Sequence, residues 1–148
     1  MKITEILQAE HAVFHNIFDH LEKVVPNLKT IGEIKALASL LKSLLEAHGK
    51  VEDELVSLPL EHYLEHIGQL ENFRNEHIEI DRNLRDIKSA KSLREARKLL
   101  LNAVIYSRQH FDNEERNFFP LAEKFLKQTT LETLGQAYLE KRREIIAD

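Results

Sequence analysis

Two segments of the chain place a histidine and a glutamate four residues apart, so that both side chains of each pair share one face of an α-helix. The segments are AHGKVEDELVSLP, with His48 and Glu52, and RQHFDNEERNFFP, with His110 and Glu114. Both pairs fall on the apolar stripe of their helix. A buried carboxylate is costly as a lone charge and persists in a core when it is paired or bound to a metal. The pattern therefore favours a helical fold that turns both pairs inward.

Helices are predicted along almost the whole chain, because only four glycines and three prolines occur among many Ala, Leu, Glu, Lys and Arg residues. The capping boxes TIGE, from Thr30, and SLRE, from Ser92, open the second and fourth helices. Short connections favour antiparallel neighbours, so we predict an all-α, up-down-up-down four-helix bundle with a short extra C-terminal helix. The predicted helices cover about 4–25, 30–57, 62 or 65 to 89, 92–118 and 131–146.

The 148 residues are predicted to form a single domain, with the core bundle over about 1–126. The extra helix, about 131–146, has Leu134, Tyr138 and Ile145 on one side. We expect that side either to cover the bundle or to form a contact in a homodimer. The first and second helices and the third and fourth helices also form related hairpins, because AEHAVFHNIFDHLEKV resembles NEHIEIDRNLRDIKSA.

Histidine placement carries the functional argument. Each of the four long predicted helices has one histidine on its apolar stripe, where the spacing between stripe residues is three or four. At 1.5 Å per residue, these histidines lie about 20–26 Å from the turn that joins each helix pair, so that their side chains meet at one level. The four histidines are His11, His48, His77 and His110.

Four imidazoles and two carboxylates at one level predict a site for divalent metal. Because the chain has no cysteine, thiolate ligands are excluded, and the mixture of nitrogen and oxygen donors favours iron or manganese, with zinc as a further alternative. If both glutamates bridge two octahedral ions, about two coordination positions remain for water or a small molecule. The predicted metal ligands are His11, His48, Glu52, His77, His110 and Glu114.

Taken in order, the motifs resemble those of the hemerythrin-like, or HHE cation-binding, domains. They are EH at 10–11, HxxxE at 48–52, EH at 76–77 and HxxxEE-x₃-FP at 110–120, and the resemblance covers about 1–126. It implies a four-helix bundle that holds two iron ions joined by an oxo or hydroxo bridge. It further implies that His11 and His48 serve one side of the centre, that His77 and His110 serve the other, and that Glu52 and Glu114 bridge. It leaves open which histidine serves which iron.

The chain departs from the oxygen-carrying hemerythrins of marine invertebrates, which it also resembles. Those proteins place a second histidine one turn before the third-helix histidine, where this chain has Phe73. Their fourth-helix carboxylate lies five residues past its histidine, which would select Glu115. We favour Glu114, because a spacing of four keeps it on the face of His110. With fewer histidines, sensing or handling of dioxygen, nitric oxide or iron is as well supported as reversible dioxygen storage.

The function that we expect is binding or sensing of dioxygen, nitric oxide or peroxide, or iron handling, rather than metabolic turnover. The alternatives are a redox enzyme, which reduces peroxide or nitric oxide or repairs iron–sulfur clusters, and a metal-stabilised interaction module. The net charge of −4, without a basic patch, argues against nucleic acid as a partner. Because the chain has no long apolar run and no signal-peptide core, we expect a cytoplasmic protein without a membrane partner.

Other histidines and aromatic residues are expected to lie outside the site. His15, one turn after His11, is favoured as a non-ligand, with an extra ligand as the alternative. His62 and His66 are expected on the surface near the start of the third helix, about 16 Å or more along that helix from His77. Tyr106 is expected to pack in the core.

The remaining acidic residues near the motifs are expected to face water. Glu10 and Glu76 directly precede their histidines, which rotates them about 100° off the stripe. Asp53, Glu54 and Glu115 are expected to form a hydrated rim.

Overall fold

The computed structural model describes residues 1–147, and the side chains of all of these except 57, 58 and 145–147. Within this part of the chain the fold is all-α and has no strand, which confirms the predicted class. None of the described helices is both long and apolar enough to cross a membrane. The α-helices are α1 Ile3–Val24, α2 Ile31–Glu52, α3 Leu58–His66, α4 Leu70–Ile87, α5 Leu93–Asn113, α6 Phe119–Phe125 and α7 Gln128–Ala147.

Both predicted capping boxes begin a helix. The Thr30 hydroxyl accepts a hydrogen bond from the backbone N–H of Glu33 at 3.2 Å and starts α2. In the same way the Ser92 hydroxyl accepts from the backbone N–H of Glu95 at 3.1 Å and starts α5. Each cap satisfies one of the N–H groups that have no partner within the helix, so these two helix starts are confirmed.

Two π-helical segments continue helices that we expected to stop before a proline. Asp53–Ser57 joins α2 to α3, and Glu114–Phe118 joins α5 to α6. The backbone N–H of Phe119 reaches back five residues to the Glu114 carbonyl, which is the wider turn of a π-helix. The two prolines therefore lie at the second position of α3 and α6, in a first turn where proline is tolerated.

The predicted start of the third helix is wrong. The chain stays helical through His66 and turns at Gly68, whose φ of 73° is the left-handed conformation that ends helices. The next long helix, α4, begins only at Leu70. His62 and His66 are exposed, as expected, but they lie on α3, which continues α2, and not at the start of α4.

Two apolar clusters fill the interior on either side of the stripe histidines. In α1, His11 stands between Leu7 of one cluster and Phe14 of the other. In α4, His77 stands in the same way between Phe73 and Ile80. The first cluster takes residues from α1, α2, α4 and α5, while the second takes residues from α1, α2 and α4 together with α3, α6 and α7. A polar layer therefore separates two dry cores.

The C-terminal helix covers one side of this arrangement. α7 packs against α1 and α2, with Tyr138 buried and Leu134 partly buried, so the covering role that we expected is observed within the chain. The side chain of Ile145 lies outside the described residues. Gly135 of α7 meets the start of the chain, where an added Cβ would overlap the Met1 carbonyl and lie 3.1 Å from the Ile3 nitrogen.

Replacing Gly135 with alanine should therefore loosen α7. We expect Gly135→Ala to lower the free energy of unfolding by about 1–3 kcal/mol through overpacking. Gly32→Ala in α2 is the matched control, because a Cβ there meets nothing within 4 Å. It should leave stability unchanged or raise it slightly. Urea denaturation of both variants measures the difference, and equal midpoints would contradict the close packing at Gly135.

Candidate metal centre

The structure brings all six predicted ligands together in the polar layer. They form two overlapping groups, and within each group one donor atom per residue lies within 4.8 Å of the others. Glu52 and Glu114 belong to both groups. The first group adds His11 and His48 to them, and the second group adds His77 and His110.

The donor atoms of the six side chains converge on a common space. The Nε2 atom of His48 lies 3.3 Å from Glu52 Oε2, and that of His11 lies 3.7 Å from Glu114 Oε2. His110 Nε2 contacts Glu114 Oε1, and it is 2.8 Å from the Nε2 atom of His77. Each imidazole therefore turns Nε2 inward. This is the arrangement in which neutral imidazole binds a cation.

Several of these donor atoms are buried without a hydrogen-bond partner. Glu52 is 1% exposed and Glu114 is 0% exposed. The atoms without a hydrogen bond include Nε2 of His11, Nε2 of His48, Oε2 of Glu52 and both carboxylate oxygens of Glu114. Buried polar atoms in native proteins normally have partners, so a cluster of such atoms that face one another fits a bound cation. Imidazole and carboxylate donors suit iron, manganese and zinc.

The shifted pKa values of these side chains also fit a bound cation. Burial, followed by the charge of nearby Glu52, raises the pKa of the Glu114 carboxyl to about 8. Burial lowers the pKa of His48, but the carboxylates of Glu10 and Glu52 outweigh it and raise that pKa to about 10. For His110, Glu114 and Glu76 likewise outweigh burial and raise the pKa to about 10. These raised pKa values favour bound protons, which compete with a cation for the same donor atoms.

Each candidate ligand histidine also has an outer carboxylate near its Nδ1 atom, on the side of the ring that faces away from the centre. His48 Nδ1–H donates to Glu10 at 3.0 Å, and His110 Nδ1–H donates to Glu76 at 2.7 Å. The amide of Asn113 donates to the other Glu76 oxygen at 2.8 Å. The expectation that Glu10 and Glu76 face water is therefore wrong. Each lies between two helices and bonds the histidine of the next long helix along the chain.

The other two histidines have partners that directly follow the central glutamates. His11 Nδ1–H donates to Glu115 at 3.1 Å, and His77 Nδ1 lies 3.8 Å from Asp53. The side chain of Glu115 is 33% exposed, so it lies at the rim and also reaches His11. The side chain of Asp53 is 52% exposed and does lie at the surface. Carboxylates in these positions orient metal-bound histidines and raise their basicity.

The sequence reasoning missed a network that reaches the centre from α7. The Tyr138 hydroxyl donates to Glu10 and lies 3.5 Å from His48 Nδ1. Arg142 contacts the other Glu10 oxygen at 3.3 Å. Burial and Glu10 raise the pKa of Tyr138 well above its usual value, so its hydroxyl stays protonated. In the sequence, the only indication of this network was that Tyr138 lies on the apolar side of its helix.

His15 and Tyr106 lie outside both donor groups. The guanidinium of Arg108 donates to His15 Nδ1 at 2.9 Å, which supports the expected non-ligand role. Tyr106 packs, partly buried, against the first apolar cluster, as expected.

Comparison with known proteins agrees with this geometry. The family model described as the hemerythrin HHE cation binding domain matches residues 2–122, which contain all six candidate ligands and end before α7. No curated protein and no solved structure matches the chain significantly.

Removal of a shared carboxylate should disrupt both donor groups. We expect Glu114→Ala to lower the metal content sharply, because each group loses an oxygen donor, and His48→Ala to lower it through loss of one imidazole. His62→Ala and His66→Ala are the controls, since both residues lie on the exposed face of α3. Elemental analysis of purified protein measures the effect. Full metal content in both Glu114→Ala and His48→Ala would show that the proposed site does not bind the metal.

Loss of an outer carboxylate should weaken metal binding without removing a ligand. Glu76→Gln should lower metal affinity by about 10–100-fold, the usual effect of losing a partner of a ligating histidine. Glu79→Gln is the matched control, since Glu79 lies one turn later on α4 and pairs with Arg82 at 2.8 Å. Competition with a chromophoric chelator measures both affinities. Equal affinities would show that the contact between Glu76 and His110 does not support the site.

Proposed function

The chain belongs to the hemerythrin HHE cation-binding domain family, and we propose that it is a non-haem di-iron protein built as an up-down-up-down four-helix bundle. Its ligand would be dioxygen or another small molecule, such as nitric oxide or peroxide, in sensing, binding or iron handling. The observation that carries this proposal is the pair of donor groups that share Glu52 and Glu114. Two groups with two shared carboxylates fit two ions better than one.

Each side chain would have a distinct task in this site. His11 and His48 would hold one ion, and His77 and His110 the other, while Glu52 and Glu114 would bridge them. A mixture of nitrogen and oxygen donors without thiolate favours iron or manganese over softer metals. When bound, two irons supply a reversible change of oxidation state and open positions for a small ligand.

The chain's own residues would set the protonation of the site. Carboxylates that accept from Nδ1 hold His11, His48 and His110 as the tautomer that has its free lone pair on Nε2, directed inward. The apolar clusters above and below exclude water, which strengthens every charge interaction inside. A bound small ligand would therefore meet donors that are already positioned.

A redox enzyme that reduces peroxide or nitric oxide is the second candidate. Tyr138 stays protonated, and its hydroxyl holds Glu10 against His48, which would tune that ligand for redox turnover. Reductant-dependent consumption of peroxide by the loaded protein separates this function from simple binding. Loss of that turnover in Tyr138→Phe, with metal content unchanged, would support the enzyme.

Metal content is the decisive test of the proposal. Protein expressed with iron and purified gently should contain about two irons per chain, as two donor groups require. Addition of nitric oxide to the reduced form, or of peroxide to the oxidised form, should then change its visible absorption spectrum. Two irons with no spectral response would favour an interaction module that metal merely stabilises. Absence of bound metal would refute the di-iron proposal.

A further inference from the structure

One half of the centre is closed to solvent. His11 is 0% exposed, and its ring stacks between Phe111, at a centroid distance of 4.0 Å, and Phe119, at 5.5 Å. His48, in the same half, is 2% exposed, and α7 lies over its outer nitrogen through the tyrosine and arginine described above. A ligand from solvent would have to displace an aromatic ring to reach His11, whereas His48 also borders a cavity.

The other half is open. The side chain of His77 is 29% exposed and lines two cavities, of about 430 and 440 Å³. The first, here called the access cavity, lies between α2, α4 and α5, and His48, His77 and His110 all line it. His11 lines neither cavity. Either cavity is far larger than a diatomic molecule, so passage to His77 requires no opening movement.

Donor number does not distinguish the two halves. Each donor group has two imidazoles and the same two shared carboxylates. Phe73, one turn before His77 on α4, offers no further donor and packs edge-on against the His110 ring at 5.7 Å. Access must therefore decide where an external ligand binds. Given the proposed function, we infer that the external ligand binds at the ion held by His77 and His110, and that it arrives through the access cavity.

The charge of the access cavity selects the class of ligand. Three carboxylates line it, from Glu46, Asp53 and Asp81, against the single ammonium of Lys50. Glu46 is paired with Lys42 at 2.6 Å outside the cavity, and Asp81 lies on the cavity wall beside His77, so the lining carries more negative than positive charge. A negative entrance repels anions and leaves neutral molecules unaffected. The ligand is accordingly a neutral small molecule, such as dioxygen, nitric oxide or undissociated hydrogen peroxide.

A steric test follows from two glycines of α2. Gly49 lines the access cavity, and neither Gly49 nor Gly32 has any atom within 4 Å of an added Cβ. Gly49→Leu should place a side chain in the cavity and slow the association of nitric oxide with the reduced protein about tenfold. Gly32→Leu, the matched control outside the cavity, should behave as the unaltered protein does. Stopped-flow absorbance measures the rates after elemental analysis has shown equal metal content, and an unchanged rate in Gly49→Leu would overturn the route.

Accessibility can also be measured without metal, which separates this inference from the di-iron proposal. Diethyl pyrocarbonate modifies accessible imidazoles, and peptide mass analysis locates the product. In metal-free protein, His77 should react well before His11 and His48, and Gly49→Leu should slow the reaction of His77. Faster reaction of His11 would overturn the assignment of the open half. If the protein does not bind iron, the proposed function is refuted, but His77 should still react with diethyl pyrocarbonate before His11 and His48.

A charge test addresses the ligand class. Asp81→Lys reverses one charge of the access cavity, and Asp86→Lys makes the same change one turn further along α4, outside the cavity. At low salt, Asp81→Lys should speed the association of azide, an anion, about tenfold and leave that of nitric oxide unchanged. Asp86→Lys should have a much smaller effect on azide. Equal azide rates in the unaltered protein and Asp81→Lys would overturn the selection by charge.

Discussion

The structure depends on two carboxylates that face each other in a dry interior. Burial of an unpaired carboxylate costs several kcal/mol, and Glu52 and Glu114 are both almost fully enclosed between two apolar clusters. Mutual repulsion adds to that cost unless protons or cations compensate it. Four inward nitrogens surround the pair, so positive charge has a defined place in the molecule. A fold that tolerates such a pair has been shaped around what binds there.

The outer carboxylates that orient the histidines of the centre bond histidines on other helices. Glu10 and Glu76 reach from α1 and α4 to histidines on α2 and α5, and both contacts join helices that follow each other along the chain. Glu115 instead connects the end of α5 to His11 on α1, and so joins the two hairpins. Because α1, α2, α4 and α5 each contribute an inward nitrogen and carry an outer carboxylate within the helix or just past its end, displacement of one helix would misorient a histidine on another.

The sequence predicts the parts of the site that periodicity controls. His11, His48 and Glu52 were found because a spacing of three or four places residues on one buried face, whatever the neighbouring helices are. Glu76 was missed because that reasoning treats each helix alone, whereas its partner lies on another helix. The helix continuing past Pro59 was missed as well, since a π turn changes the hydrogen-bond register without changing the composition. Contacts made by α7 depend on a fold that brings distant parts of the chain together.

The position of α7 has a consequence for how chains of this kind diverge. Residues 2–122 contain all six candidate ligands, yet Tyr138 and Arg142, which hold the carboxylate on His48, come from beyond that segment. The electron density that a histidine offers its metal depends on this outer partner, and so does the reduction potential. An appended helix can therefore retune an inherited metal centre without altering one ligand, and chains with identical ligand motifs need not share a redox range.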